Sequence, residues 1–274
     1  MDHKPYIRQI PGSRCAVLMV HGIAGSPAQF RDLMPVIPED WSVYNILLDG
    51  HGGTVQEFSR SDLDYWRLQV DIRIHELLAN YEKILIVAHS MGTLFAIQSA
   101  IRAPGRISAL FLLQVPLTPH VTAACCVGSL QVAFGRVKPG TKAEDIKNAT
   151  AIELTPRLWQ YLGWLPRFAE LFREISRTKK LLSQLRVPTY VFQSARDELV
   201  SSRGNKILQQ HPAMHYHLLP CSGHFAYVPR DAAFLRKKLR AVIKSMQEKR
   251  STSCEVLLLV FTDCQPALPA AGRR

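Results

Sequence analysis

Ala88-His89-Ser90-Met91-Gly92 sits between an apolar run, Ile84–Val87, and a helical pattern running from Thr93 to Arg102. A strand that breaks sharply into a helix, with a serine at the break and small residues two places to either side, has the form of a nucleophile elbow. The chemistry explains the form. A serine hydroxyl is a weak nucleophile and must be held clear of the sheet, where a base and a carbonyl carbon reach it together. The turn that does this crowds the flanking positions, so bulky side chains there collide. Gly92 meets the requirement, and Ala88 adds one methyl where a glycine is usual. A plain Ser-Met-Gly turn at a helix start has the same local pattern, so the reading has to be weighed against the rest of the chain.

Working outward, strands and helices alternate. A short strand near Tyr6–Ile10 precedes a buried strand, Ala16–Val20, which ends in the loop His21-Gly22-Ile23-Ala24-Gly25. A helical stretch, Pro27–Ile37, leads to a strand at Val43–Leu48 and the loop Asp49–Gly53. Ser61-Asp62-Leu63-Asp64 has the spacing of a capping box and opens a helix to about Tyr81. The elbow strand, its helix and the strand Ala109–Val115 follow. Strands apolar on both faces, joined by helices, predict a largely parallel α/β sheet.

The alternation stops at Pro116 and resumes at Pro188. Residues 116–186 are helical and basic, with Trp159, Tyr161, Trp164, Phe168 and Phe172 close together. Their position predicts a helical cap over the carboxyl ends of the strands, where open α/β sheets bind ligands. Trp159, Trp164 and Phe168 are its candidate pocket-lining residues. The core is then residues 1–115 and 187–250, with strands at Pro188–Gln193 and His215–Leu219, a helix at Ser202–Gln210 and a closing helix at Arg230–Met246. Residues 251–274 form a tail whose apolar run Cys254–Phe261 has three open readings: an edge strand, a partner-binding segment, or sequence foreign to the domain.

The resumed strands supply what a nucleophilic serine needs. Asp197 follows the first of them in Ser194-Ala195-Arg196-Asp197-Glu198, and His224 follows the second in Cys221-Ser222-Gly223-His224. The chain order Ser90, Asp197, His224 is one of the known triad orders. His224 is the candidate general base, Asp197 its orienting acid, and Glu198 the competing acid. Candidate oxyanion donors are the backbone N–H groups of Met91 and Ile23. His21 reads as a loop brace, and His51 and His89 as structural.

These pieces together resemble the α/β-hydrolases, and among them the carboxylesterase and monoacylglycerol lipase group. The resemblance rests on His21–Ser26, Asp49–Gly52, His89–Gly92, Asp197–Val200 and Gly223-His224, and covers roughly residues 5–247. It implies hydrolysis of a small-molecule carboxylic ester, of short-to-medium acyl or monoacylglycerol type, through an acyl-enzyme, with no metal and no organic cofactor. Two rivals stay open: a proline-type aminopeptidase or amidase of the same fold, and a non-catalytic ligand receptor.

Composition narrows the field further. The chain of 274 residues has an ordinary hydrophobic fraction of 47% and a net charge of +12. Residues 1–115 hold 10 basic against 11 acidic side chains, whereas residues 116–190 hold 11 against 5, so the excess lies beyond the elbow. The densest cluster, Arg236–Lys244, rides an amphipathic helix without interleaved aromatics, which speaks against nucleic acid as a partner. No apolar stretch reaches the roughly 18 residues of a membrane helix, and the start lacks a secretory signal's apolar core. A cytoplasmic location is the expectation. The six cysteines have neither disulfide-like nor metal-like spacing.

Overall fold

Three strands carry almost nothing but apolar side chains: Cys15–Val20 (β2), Lys83–His89 (β4) and Ala109–Leu113 (β5). Only a sheet covered on both faces makes such a composition stable. The structure, a computed structural model, describes residues 3–262, with side chains described through residue 248. It joins these strands with Tyr6–Arg8 (β1), Ser42–Asn45 (β3), Thr189–Ser194 (β6) and Met214–Leu219 (β7). The order is β1-β3-β2-β4-β5-β6-β7, with every neighbour parallel except the antiparallel edge strand β1.

One face packs against Leu63–Asn80 (α2) and Met91–Arg102 (α3), where Trp66, Val70, Ile74, Leu94 and Phe95 meet Leu18, Ile84, Ile86 and Leu110. The other face is covered by the segment around Phe30, Ile37 and Trp41 and by Leu235, Leu239 and Val242 of the closing helix. From β2 the chain moves outward to β3, and from β4 it moves the opposite way to β5. The strand order therefore reverses between β2 and β4, and a crevice opens at their carboxyl ends.

Several expected elements differ in detail. Pro27–Ile37 is not one helix but two 3-10 turns, Pro27–Phe30 and Met34–Val36, because Pro35 lacks the N–H a continuous helix needs. The capping residue of α2 is Asp62, one place after Ser61, and its carboxylate accepts from Tyr65 N–H at 2.7 Å. A short helix, Val55–Arg60 (α1), precedes it with its own Thr54/Glu57 capping box.

Between β5 and β6 lie Ala123–Ala133 (α4), Lys142–Ala149 (α5), a 3-10 turn at Leu158–Gly163 and Trp164–Leu181 (α6). Asn205–Gln209 (α7) precedes β7. The closing helix, Pro229–Thr262 (α8), runs well beyond Met246 and takes residues 251–262 with it, so an edge strand there is ruled out. Residues 263–274, the remainder of the expected tail, lie outside the described residues. Among the described residues no helix is long and apolar enough to cross a membrane.

Candidate active site

Ser90 occupies the turn between β4 and α3 with φ 50° and ψ −121°, left-handed space that a non-glycine residue enters only under strain. The neighbours leave it no alternative. A Cβ on Gly92 would fall 2.3 Å from the Val20 carbonyl oxygen and 2.7 Å from that of His21, so nothing larger than glycine fits against β2. A Cβ on Gly22 would fall 2.8 Å from the Cβ of Ser90, which brings the His21–Gly25 loop directly against the serine. Ala88 is fully buried in register between Val20 and Leu112, and its methyl is accommodated there.

That loop has its N–H groups almost fully committed. Gly22 N–H donates to Gln29 Oε1 at 3.3 Å, Ala24 N–H to His51 Nε2 at 3.2 Å, and Gly25 N–H to the Gly22 carbonyl at 3.0 Å. Among the described residues, Ile23 N–H has no acceptor. Met91 N–H opens α3 immediately after the serine, at the positive end of the helix dipole.

His224 lies against the elbow: the His89 and His224 rings are 4.8 Å apart, and His89 Nε2–H donates to the His224 carbonyl at 3.2 Å. Its Nδ1–H donates to the Asp197 carboxylate, at 2.9 Å to Oδ2 and 3.0 Å to Oδ1. This fixes the tautomer and leaves Nε2 as the basic nitrogen. Asp197 Oδ1 also accepts from the N–H groups of Leu199 and Val200 at 2.8 and 2.7 Å. Burial works to raise the Asp197 pKa, but the His224 charge and these hydrogen bonds outweigh it and hold the carboxyl below its ordinary value. No hydrogen bond joins Ser90 Oγ to His224 among the described residues. Such contacts are often loose in an unliganded enzyme.

Glu198 does not share the imidazole. Its Oε2 accepts from the His224 backbone N–H at 2.7 Å, while Oε1 meets Lys142 Nζ of α5 at 2.5 Å. It braces the loop that carries His224 and ties that loop to the inserted segment. Sequence reasoning weighed Glu198 only as a rival acid. The adjacent Gly223, where a Cβ would fall 2.5 Å from Glu198 Oε1, is the sequence signal for this close approach.

The other histidines support loops. His21 donates through Nδ1–H to the Gly22 carbonyl and accepts at Nε2 from Leu48 N–H, and burial lowers its pKa to about 4. His51 donates through Nδ1–H to Asp49 and is pushed well below its ordinary range by burial. His89 is lowered to about 3, chiefly by burial, and its Nδ1 has no hydrogen-bond partner among the described residues.

The expected pocket residues are elsewhere. A cavity of about 200 Å³ beside His224 is lined by Gln29, Asp32, His89, Asp145, Asn148 and Tyr227 among others, and by none of the three aromatics. Trp159 is 67% exposed, and Phe168 is also at the surface. Trp164 donates from Nε1 to the Val55 carbonyl at 3.2 Å and packs on Phe58. The reason lies in α6. It buries Leu171, Glu174, Ile175 and Thr178 against α3, where Gln98 Nε2 donates to Glu174 Oε1 and Thr178 Oγ1, both at 2.8 Å. Its aromatic face is thereby turned away. Only the earlier part of the insertion reaches the crevice, through Thr122 N–H to the Glu198 carbonyl, Lys142 to Glu198, and Ala151 N–H to the Ala24 carbonyl.

Among the described residues no group of three or more His, Cys, Asp or Glu side chains is placed to hold a metal ion. Among the described residues, Cys125, Cys126 and Cys221 form no disulfide.

Comparison with known proteins agrees with this architecture. Residues 16–135 match the family model described as alpha/beta hydrolase fold. The monoacylglycerol lipase abhd6-B of Xenopus laevis is 31% identical over 108 residues, 38% of this chain and 31% of that protein, so the match spans about a third of the relative's length. A structure of the metagenome-derived lipolytic enzymes LipS and LipT aligns with TM-score 0.68 at 21% identity, covering 88% of this chain and 98% of the other. Monoacylglycerol lipase from Paleococcus ferrophilus aligns with TM-score 0.63 at 17% identity, covering 89% and 99%. A putative ancestral haloalkane dehalogenase aligns nearly as well, with TM-score 0.62 at 18% identity and coverage of 88% and 95%. The chain has the α/β-hydrolase fold and resembles the monoacylglycerol lipase group.

Proposed function

We propose that the protein is a serine hydrolase that cleaves carboxylic esters, of short-to-medium acyl or monoacylglycerol type, through an acyl-enzyme. The observation that carries this reading is Ser90 held at positive φ beside the buried His224–Asp197 pair. His224 Nε2 takes the proton from Ser90 Oγ as the oxygen attacks the acyl carbon, and the carbonyl electrons move onto oxygen. The resulting oxyanion is bound by the N–H groups of Ile23 and Met91. As the tetrahedral centre collapses, the ester C–O bond breaks and His224 returns the proton to the leaving alcohol. Water, deprotonated by His224, then attacks the acyl-enzyme, releasing the carboxylic acid and restoring the serine hydroxyl. Asp197 keeps the imidazole oriented and stabilises its charged form. Residues 116–153 serve as the cap, and substrate bound in the crevice at the ends of β2 and β4 lies beneath them.

A fluorophosphonate probe is expected to label the wild type and not Ser90→Ala. p-Nitrophenyl esters of rising chain length are expected to turn over while aminoacyl p-nitroanilides stay silent. Equal labelling of both proteins removes the nucleophile, and turnover confined to anilides replaces the esterase reading with the amidase one.

A further inference from the structure

The face of the 3-10 turn and α6 directed away from the core carries six large apolar side chains at the surface: Leu158, Trp159, Leu162, Leu165, Phe168 and Phe172. Leu162 is 66% and Leu165 64% exposed. From Trp159 onward, spacings of three and four keep them in one stripe, roughly 20–25 Å long at helical rises of 1.5–2 Å per residue, with Leu158 beside its start. Solvated surfaces seldom spend six large apolar groups on one contiguous segment, and a patch of this kind marks a contact surface.

Its chemistry is set by what adjoins it. The acids of α6 are used internally: Glu170 pairs with Arg167 at 2.6 Å and Glu174 with Arg67 at 3.3 Å. Arg173, Arg177 and Lys180 pair with no carboxylate among the described residues. With Phe172 and Ser176 they line an open depression of about 420 Å³ at the end of the stripe. Apolar side chains including an exposed tryptophan, followed by three free cations on the same helix, match a membrane interface in which the helix lies in the plane of the lipid headgroups. A second copy of the chain fits less well. A two-fold contact sets each patch against itself, and the patch offers no unpaired carboxylate to the three cations.

We propose that residues 158–180 dock the protein on an anionic phospholipid surface, with Leu162, Leu165 and Phe172 entering the headgroup boundary and Arg173, Arg177 and Lys180 on lipid phosphates. This contact is independent of hydrolysis and survives if the esterase reading fails.

Flotation of the full chain with phosphatidylcholine vesicles, and with vesicles also containing phosphatidylglycerol, tests it. The wild type is expected to float with the anionic vesicles, less so as salt rises, with a blue shift of tryptophan emission from Trp159. The triple variant R173Q/R177Q/K180Q is expected to lose the preference for anionic lipid, on the order of 100-fold in partitioning at about a fivefold loss per cation. L162S/L165S/F172S is expected to lose binding to both vesicle types, with circular dichroism unchanged because the altered positions are exposed. Absence of the wild type from anionic vesicles at low salt overturns the proposal. So does wild-type flotation by both variants. Concentration-dependent self-association abolished by the apolar triple variant, without lipid binding, assigns the face to a second copy instead.

Discussion

Acid between pH 7.5 and pH 5.5 is expected to destabilise this protein, because three buried histidines are held in the neutral form. His21 and His51 each donate from Nδ1 and accept a backbone N–H at Nε2, from Leu48 and Ala24 respectively. A second proton on either ring sets N–H against N–H in a buried site. His21 is lowered to about 4 and His89 to about 3, in both cases first by burial, and His51 moves the same way. In the unfolded chain each ring binds its proton near 6.5, so between that value and the folded one the unfolded state holds more protons and stability falls as pH falls. At pH 5.5 each such ring costs about 1.4 kcal/mol relative to pH 7.5, so His21 and His89 together cost about 3 kcal/mol. His51 adds to it. Against a total stability of about 5–15 kcal/mol that is a large share. Urea unfolding followed by circular dichroism at pH 7.5, 6.5 and 5.5 measures it, with His89→Gln expected to flatten the slope by about one proton. A free energy of unfolding that stays level over this range refutes the reasoning, as does a wild-type slope unchanged in the variant.

Three further outcomes are expected. Asp197→Asn keeps the two backbone hydrogen bonds at Oδ1 but turns an amide N–H toward the imidazole, forcing the wrong tautomer, so kcat should fall by up to about 10⁴-fold in an ester assay while the fold persists. Glu198→Gln, which retains an acceptor for His224 N–H, should cost far less in the same assay; the reverse ranking exchanges the two roles. Gly92→Ala drives a methyl into the Val20 carbonyl and should destabilise by about 1–3 kcal/mol, read as a Tm lower by several degrees in calorimetry.

The parallel sheet and the elbow were legible because each imposes a composition that few other structures require. A strand covered on both faces, such as Cys15–Val20, admits little but apolar residues, and the packing of α3 on β2 admits only glycine at position 92. The direction of the aromatic cluster was not legible, because composition reports that Trp159 and Phe168 are large and apolar but not which way they face. Direction was decided by Glu174 and Thr178, polar residues on α6 whose burial depends on Gln98, a partner about 80 positions away. α1 was missed because six residues carry too little periodicity, although Thr54 and Glu57 mark its start. Ile23 was placed by position in the loop; its distinction, an N–H left over when Gly22, Ala24 and Gly25 are committed, exists only in three dimensions.

The Glu198 carboxylate also limits how this protein could be re-engineered. Its buried charge is shared between a lysine of the inserted segment and the backbone of the histidine loop, so the two parts are not interchangeable modules. A segment transplanted from a relative without a cation at the position of Lys142 would leave that carboxylate buried and uncompensated, and the most direct relief is for it to swing toward solvent and release the loop. Any exchange of residues 116–186 would therefore have to carry over the lysine or replace Glu198 along with them. Libraries that vary the two positions jointly are expected to hold more folded members than libraries that vary the segment alone.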